Sequence, residues 1–198
     1  MAAGFDEAWS GDPLPYLGAF ADGPSDFAAR FPLPVGSSAL ASLLADGRSA
    51  FGADHSLFRW RRQLTAGEVA RALGSGGVGQ PQAVRVLERG PSGRVLALEI
   101  EGPAGRRVLR LDAIRRTLRR LPSTLFTLEA AGPGVWQVVG GGFGHGAGLS
   151  QQGAIDLGRR GWTMDSILQR YYPGAELVPL GALGPGGVSP NPLQRKDP

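Results

Sequence analysis

Glycine and proline interrupt this chain so often that a long helical bundle or a coiled coil cannot run through it. There are 32 glycines and 16 prolines among 198 residues. The glycines follow no three-residue period, which excludes collagen. Apolar residues make up 42%, enough for a packed core. The chain therefore reads as a folded but turn-rich globule, with one domain as the default for this length.

There is no cysteine. That removes disulfide scaffolds, thiol nucleophiles and Cys-ligated zinc or iron–sulfur sites. The two histidines, His55 and His145, lie far apart in sequence. Nothing in the sequence calls for a metal or a cofactor. No apolar run reaches the roughly 18–20 residues that span a bilayer. Residues 1–11 carry Asp6 and Glu7 without an apolar stretch, so no signal peptide is expected there.

Charge is unevenly spread around a net +4. Residues 85–120 hold ten arginines and four acids, whereas residues 1–60 hold three bases and seven acids. The basic segment could meet an anionic polymer, either nucleic acid or the anionic components of a bacterial envelope.

Local patterns predict an α+β order. Residues 1–60 read as irregular, apart from a short helix over Ser38–Leu44. Leu57–Leu64 alternates as a strand. Thr65-Ala-Gly-Glu68 fits a capping box opening a helix that Gly74 stops. An antiparallel meander follows over 82–89, 94–101 and 107–111, with turns at Gly90-Pro-Ser-Gly93 and Gly102-Pro-Ala-Gly105. Asp112 can cap a basic helix over Ala113–Leu121. Leu125–Ala130 and Val135–Val139 form a further hairpin. After a glycine-rich loop come short helices, from Ser150 and from Thr163. The Gly/Pro-rich stretch 181–198 reads as a disordered tail, leaving 1–180 as the domain.

The glycine-rich loop carries the chemistry. Six glycines fall between Gly140 and Gly148, around Phe143 and His145. They expose an imidazole and backbone N–H groups ahead of a helix N-terminus, which suits a polar or anionic ligand. A phosphate loop lacks its Gly-Lys-Ser/Thr. Gly142-x-Gly144-x-x-Ala147 matches a dinucleotide pattern, but no second buried strand follows to close a βαβ unit. A structural crossover with His145 hydrogen-bonded inside also accounts for the residues.

The run Gly-Phe-Gly-His145-Gly-Ala-Gly-Leu-Ser150-Gln-Gln-Gly-Ala154, followed by Ile167-Leu-Gln-Arg-Tyr171-Tyr-Pro-Gly174, resembles the SpoIID/LytB family of sporulation and amidase-enhancer proteins. Phe58-Arg-Trp60, Val84–Arg89 with Ser92-Gly-Arg94, and Ile114-Arg115 through Ser123–Phe126 extend the likeness over about residues 10–180. The resemblance implies a domain of the extracytoplasmic cell envelope that acts on or binds peptidoglycan glycan strands. Its relatives include lytic transglycosylases and enhancers of wall amidases, so an amidase is an implied partner. Gly144, His145, Gly146, Ser150 and Gln151 would line or brace the glycan cleft.

The family's catalytic glutamate belongs to an N-terminal helix that has no counterpart here, and Gln152 and Leu149 replace its usual aromatic and methionine. The chain thus resembles the family's C-terminal portion. That portion could be a truncated product or a non-catalytic glycan-binding remnant. Glu68 is accounted for as a cap, and Glu88, Glu99 and Glu101 as solvated strand residues. No catalytic residue is assigned. Trp60, Trp136, Tyr171 and Tyr172 read as core aromatics, with sugar stacking as their other role, and His55 as loop surface. The alternative function is a basic nucleic-acid-binding domain, although no nucleic-acid motif is present and no nucleic-acid partner is expected.

Overall fold

The computed structural model describes residues 1–47, 49–75 and 77–179. The expected tail, 181–198, lies outside the described residues. The fold is α+β, as the local patterns predict. Six strands form two antiparallel three-stranded sheets. One is the meander β2 (Ala83–Arg89), β3 (Val95–Gly102) and β4 (Gly105–Arg110). In the other, β6 (Val135–Gly141) lies between β1 (Arg59–Thr65) and β5 (Phe126–Gly132).

β3 is buried on both of its faces, not on the single face that its Leu96-Leu98-Ile100 alternation suggests. Val95, Ala97, Leu98 and Ile100 are all buried, and Leu98 and Ile100 join Trp60, Phe126, Trp136 and Val138 of the second sheet in one cluster. In the centre of that sheet, Gly140 of β6 pairs with Trp60 on one side and Phe126 on the other. The missing side chain lets the two rings approach to 6.4 Å between centroids. The β6 neighbours are both antiparallel, so no βαβ unit forms around Gly142-x-Gly144-x-x-Ala147 and the dinucleotide reading lapses.

The capping box at Thr65 forms as expected. Thr65 Oγ1 accepts from the Glu68 N–H at 3.3 Å, and Glu68 accepts from the Thr65 N–H at 3.0 Å, opening α3 (Ala66–Leu73). Glu68 also pairs with Arg120.

Two expectations need correction. Residues 1–60 are not irregular apart from one helix. They contain α1 (Ser25–Arg30) and α2 (Ser37–Ala45), and Phe27, Phe31, Leu40, Leu43 and Leu44 from this region form a second core with Leu125. Asp112 does not cap α4 (Asp112–Thr117), which is also shorter than predicted. The chain turns at Leu111 with φ of 51°, so Asp112 already lies inside the helix. Its carboxylate instead accepts from Arg115 at 3.0 Å and pairs with Arg116 at 3.4 Å.

Part of the basic segment's charge is engaged by carboxylates. Six of its ten arginines (Arg85, Arg106, Arg110, Arg115, Arg116 and Arg120) form ion pairs with nearby carboxylates. Among the described residues, no helix is long and apolar enough to cross a membrane.

Candidate functional site

β6 runs directly into the glycine loop. Glycines 142, 144, 146 and 148 all have φ between 76° and 87°, a hand that side chains other than glycine rarely tolerate. Backbone bonds fix the loop on both sides. The Gly142 N–H donates to Phe58 O and the Gly144 N–H to Pro122 O, while Gly146 O accepts from the Ala3 N–H. The Trp60 indole N–H donates to Gly142 O at 3.0 Å.

Two later segments brace the far end of the loop. Ser150 caps α5 (Gln151–Arg159), its Oγ accepting from the Gly153 N–H at 3.1 Å. Tyr171 and Tyr172, at the end of α6 (Met164–Tyr171), reach back to this turn. The Tyr172 hydroxyl accepts from the Leu149 N–H at 3.2 Å. The Tyr171 hydroxyl donates to Asp22 at 3.0 Å, and a Cβ at Gly153 would stand 2.1 Å from that hydroxyl. The Gly-His-rich run and the Tyr-Tyr-Pro-Gly run are thus two parts of one construction.

The loop walls a cavity of about 470 Å³. All five residues expected at the site, Gly144, His145, Gly146, Ser150 and Gln151, line it. So do residues that sequence reasoning left unassigned: Asp22, Arg59, Arg94 and Arg115. His55 also lines the cavity, which corrects its reading as plain loop surface. Sequence offered one signal for Arg94 and Arg115, their place in the stretches quoted for the family likeness, and none for Asp22.

His145 is half-buried, with its ring 4.6 Å from that of Trp9. Its Nδ1 accepts from the Ala147 N–H at 3.2 Å, which places the proton of the neutral ring on Nε2. Burial pushes the imidazole below its ordinary value of 6.5, helped by Arg115 and Arg94 and opposed by Asp112. The folded state therefore binds fewer protons here than the unfolded chain. Its contribution to stability is complete above the unfolded value and is lost as pH falls through the folded one. An NMR titration should place the His145 midpoint below 6.5, and His145→Gln should remove that part of the acid-side loss of stability.

Arg94 is 4% exposed, and burial lowers its pKa to about 10. A Cβ at Gly146 would lie 2.1 Å from its guanidinium, so the glycine is what lets loop and arginine share this space. Asp22, the acid on the cavity wall among the described residues, is engaged by Tyr171 and by Arg170 at 3.4 Å. Burial pushes its carboxyl above the ordinary value. Of the aromatics considered for stacking, Trp60, Trp136 and Tyr171 are buried. Phe143, 67% exposed at the rim, is the most exposed of the phenylalanines that line the cavity. Among the described residues, no group of three or more metal-ligating side chains comes together.

The cavity therefore offers an imidazole, an exposed ring, guanidinium groups and a helix N-terminus to a polar, anionic ligand. A comparison with curated proteins finds no match. Residues 3–148, more than two thirds of the chain, match the model of a family described as "Domain of unknown function (DUF8618)", and the chain belongs to that family.

Proposed function

We propose that this protein is a peptidoglycan-associated domain of SpoIID/LytB type, binding glycan strands of the bacterial cell wall in the cavity beneath the glycine loop. One observation carries the reading. The Gly-His loop, the Tyr-Tyr-Pro-Gly segment and the upstream stretches around Phe58, Arg94 and Arg115, which together make up the family likeness, converge on a single cavity. A sugar strand presents hydroxyls, amides and flat apolar ring faces. His145 Nε2 and the end of α5 suit the polar groups, and Phe143 suits a ring face. The domain works in the extracytoplasmic envelope, beside the enzymes that remodel the wall.

The reading is binding without cleavage. A lytic transglycosylase needs a carboxyl that gives and then takes a proton. Asp22 has its oxygens held by Tyr171 and Arg170. Glu68, Glu88 and Glu99 are engaged in ion pairs on the sheets and α3. Six of the ten arginines that motivate a nucleic-acid alternative are engaged by carboxylates.

Co-sedimentation with peptidoglycan stripped of its stem peptides tests the proposal. The chain should pellet with the strands and release no anhydro-muropeptides. His145→Ala and Phe143→Ala should each weaken binding about tenfold, which corresponds to about 1.4 kcal/mol. Equal pelleting of wild type and both variants would remove the cavity from the reading.

A further inference from the structure

Arg94 is a buried guanidinium. Among the described residues its Nε and Nη1 have no hydrogen-bond partner, and its Nη2 reaches only the Met1 carbonyl, at 3.4 Å. Among the described residues it enters no ion pair. Glu7 is the acid whose charge acts on it, yet the Glu7 oxygens are already taken. Oε1 accepts from the Gly4 N–H at 2.9 Å, and Oε2 accepts from the Ser92 N–H at 3.0 Å and the Ser92 hydroxyl at 2.6 Å. An unpaired buried charge is costly, and a guanidinium fork fits planar oxyanions. Arg59, on the same cavity, also keeps a buried Nε without a partner, its other nitrogens donating to Phe58 O and Leu43 O. The N-terminal turn of α5 faces the cavity as well, adding partial positive charge.

We propose that Arg94, beneath Gly146 and flanked by Arg59, forms an oxyanion subsite that takes a carboxylate of the ligand. This deepens the peptidoglycan reading and rests on it for the ligand's identity. On a glycan strand freed of stem peptides, the carboxylate is the lactyl group of each muramic acid. A strand still carrying its peptides has that carboxyl locked in an amide.

The test uses the full chain and three probes: stripped strands, the same strands with their carboxyls methyl-esterified, and inorganic phosphate. Esterification should weaken binding at least tenfold. Arg94→Lys, which keeps the charge and loses the fork, should shrink that preference to below about threefold. NMR of wild type gives a readout that does not depend on a variant folding. The Nε–H signal of Arg94, identified by its absence in Arg94→Lys, should shift with free strands and with phosphate but not with esterified strands. Equal binding before and after esterification, with the signal unmoved, would overturn the subsite and leave the peptidoglycan reading intact. A signal that moves with phosphate while no strand binds would overturn that reading and leave the subsite standing.

Discussion

Alanine at Gly140 is expected to lower stability by about 3 kcal/mol, or roughly 6–12 °C in Tm for a chain of this size. The added methyl would stand 2.2 Å from the Trp60 ring, and that ring cannot retreat. It is buried, its N–H is bound to Gly142 O, and Phe126 closes the other side. Accommodation needs β1 or β6 to shift, and β6 leads straight into the loop. The variant should therefore also loosen the cavity. Pairing it with Trp60→Leu should give a double mutant less destabilised than the sum of the two, because the smaller side chain relieves the overlap. Gly158→Ala is the matching control. Nothing lies within 4 Å of its added methyl, so it should stabilise α5 by about 1 kcal/mol through helix propensity alone. Thermal and urea unfolding of the four variants decides the matter. A loss below about 1 kcal/mol for Gly140→Ala would mean the sheet yields at its centre.

Removing Asp22 is expected to cost a similar amount, about 3 kcal/mol for Asp22→Ala. The carboxylate ties the N-terminal region to α6 through Tyr171 and Arg170. Without it, the Tyr171 hydroxyl is buried without that acceptor and Arg170 keeps only the carbonyls of Ala21 and Gly23. Asp22→Asn retains an acceptor for Tyr171 and avoids ionising a carboxyl that burial already disfavours. It should cost only about 1 kcal/mol. Tyr171→Phe tests the same link from the other end and should be sub-additive with Asp22→Ala. Additive losses would show that the two residues act independently. Denaturant midpoints at constant slope are the appropriate measure.

What could be read from the sequence follows the range of the forces involved. The meander was legible because β2, β3 and β4 are joined by short Gly/Pro turns; that β3 is buried on both faces was not, since it depends on the second sheet. The caps at Thr65, Ser150 and Thr163 were legible for the same reason, each acting within three residues. The glycine loop stood out by composition, and the structure gathers all five residues proposed there. α1 was missed because six residues after Gly23-Pro24 are too few to show a period. Its Phe27, and Phe31 just after it, find their meaning only against α2 and Leu125. Asp112 was misjudged because a capping signal assumes an extended preceding residue, whereas Leu111 takes the opposite hand. Arg94 was just one of ten arginines in a basic segment. That it is buried unpaired depends on Gly146 and Glu7, both distant in sequence, and no local pattern announces it.

The pairing that sets the loop in place has a further consequence for assembly. Trp60 and Gly142 are 82 positions apart, and β1 finds β6 only across that whole span. The meander, by contrast, closes through neighbouring turns. Long closures are costly in chain entropy and slow to form, so the meander can be ordered before the second sheet exists. The cavity then belongs to the last stage of folding. Its glycines have no native place until Ala3 and Tyr172 have arrived, so a nascent chain would form the cavity only after β6 has docked.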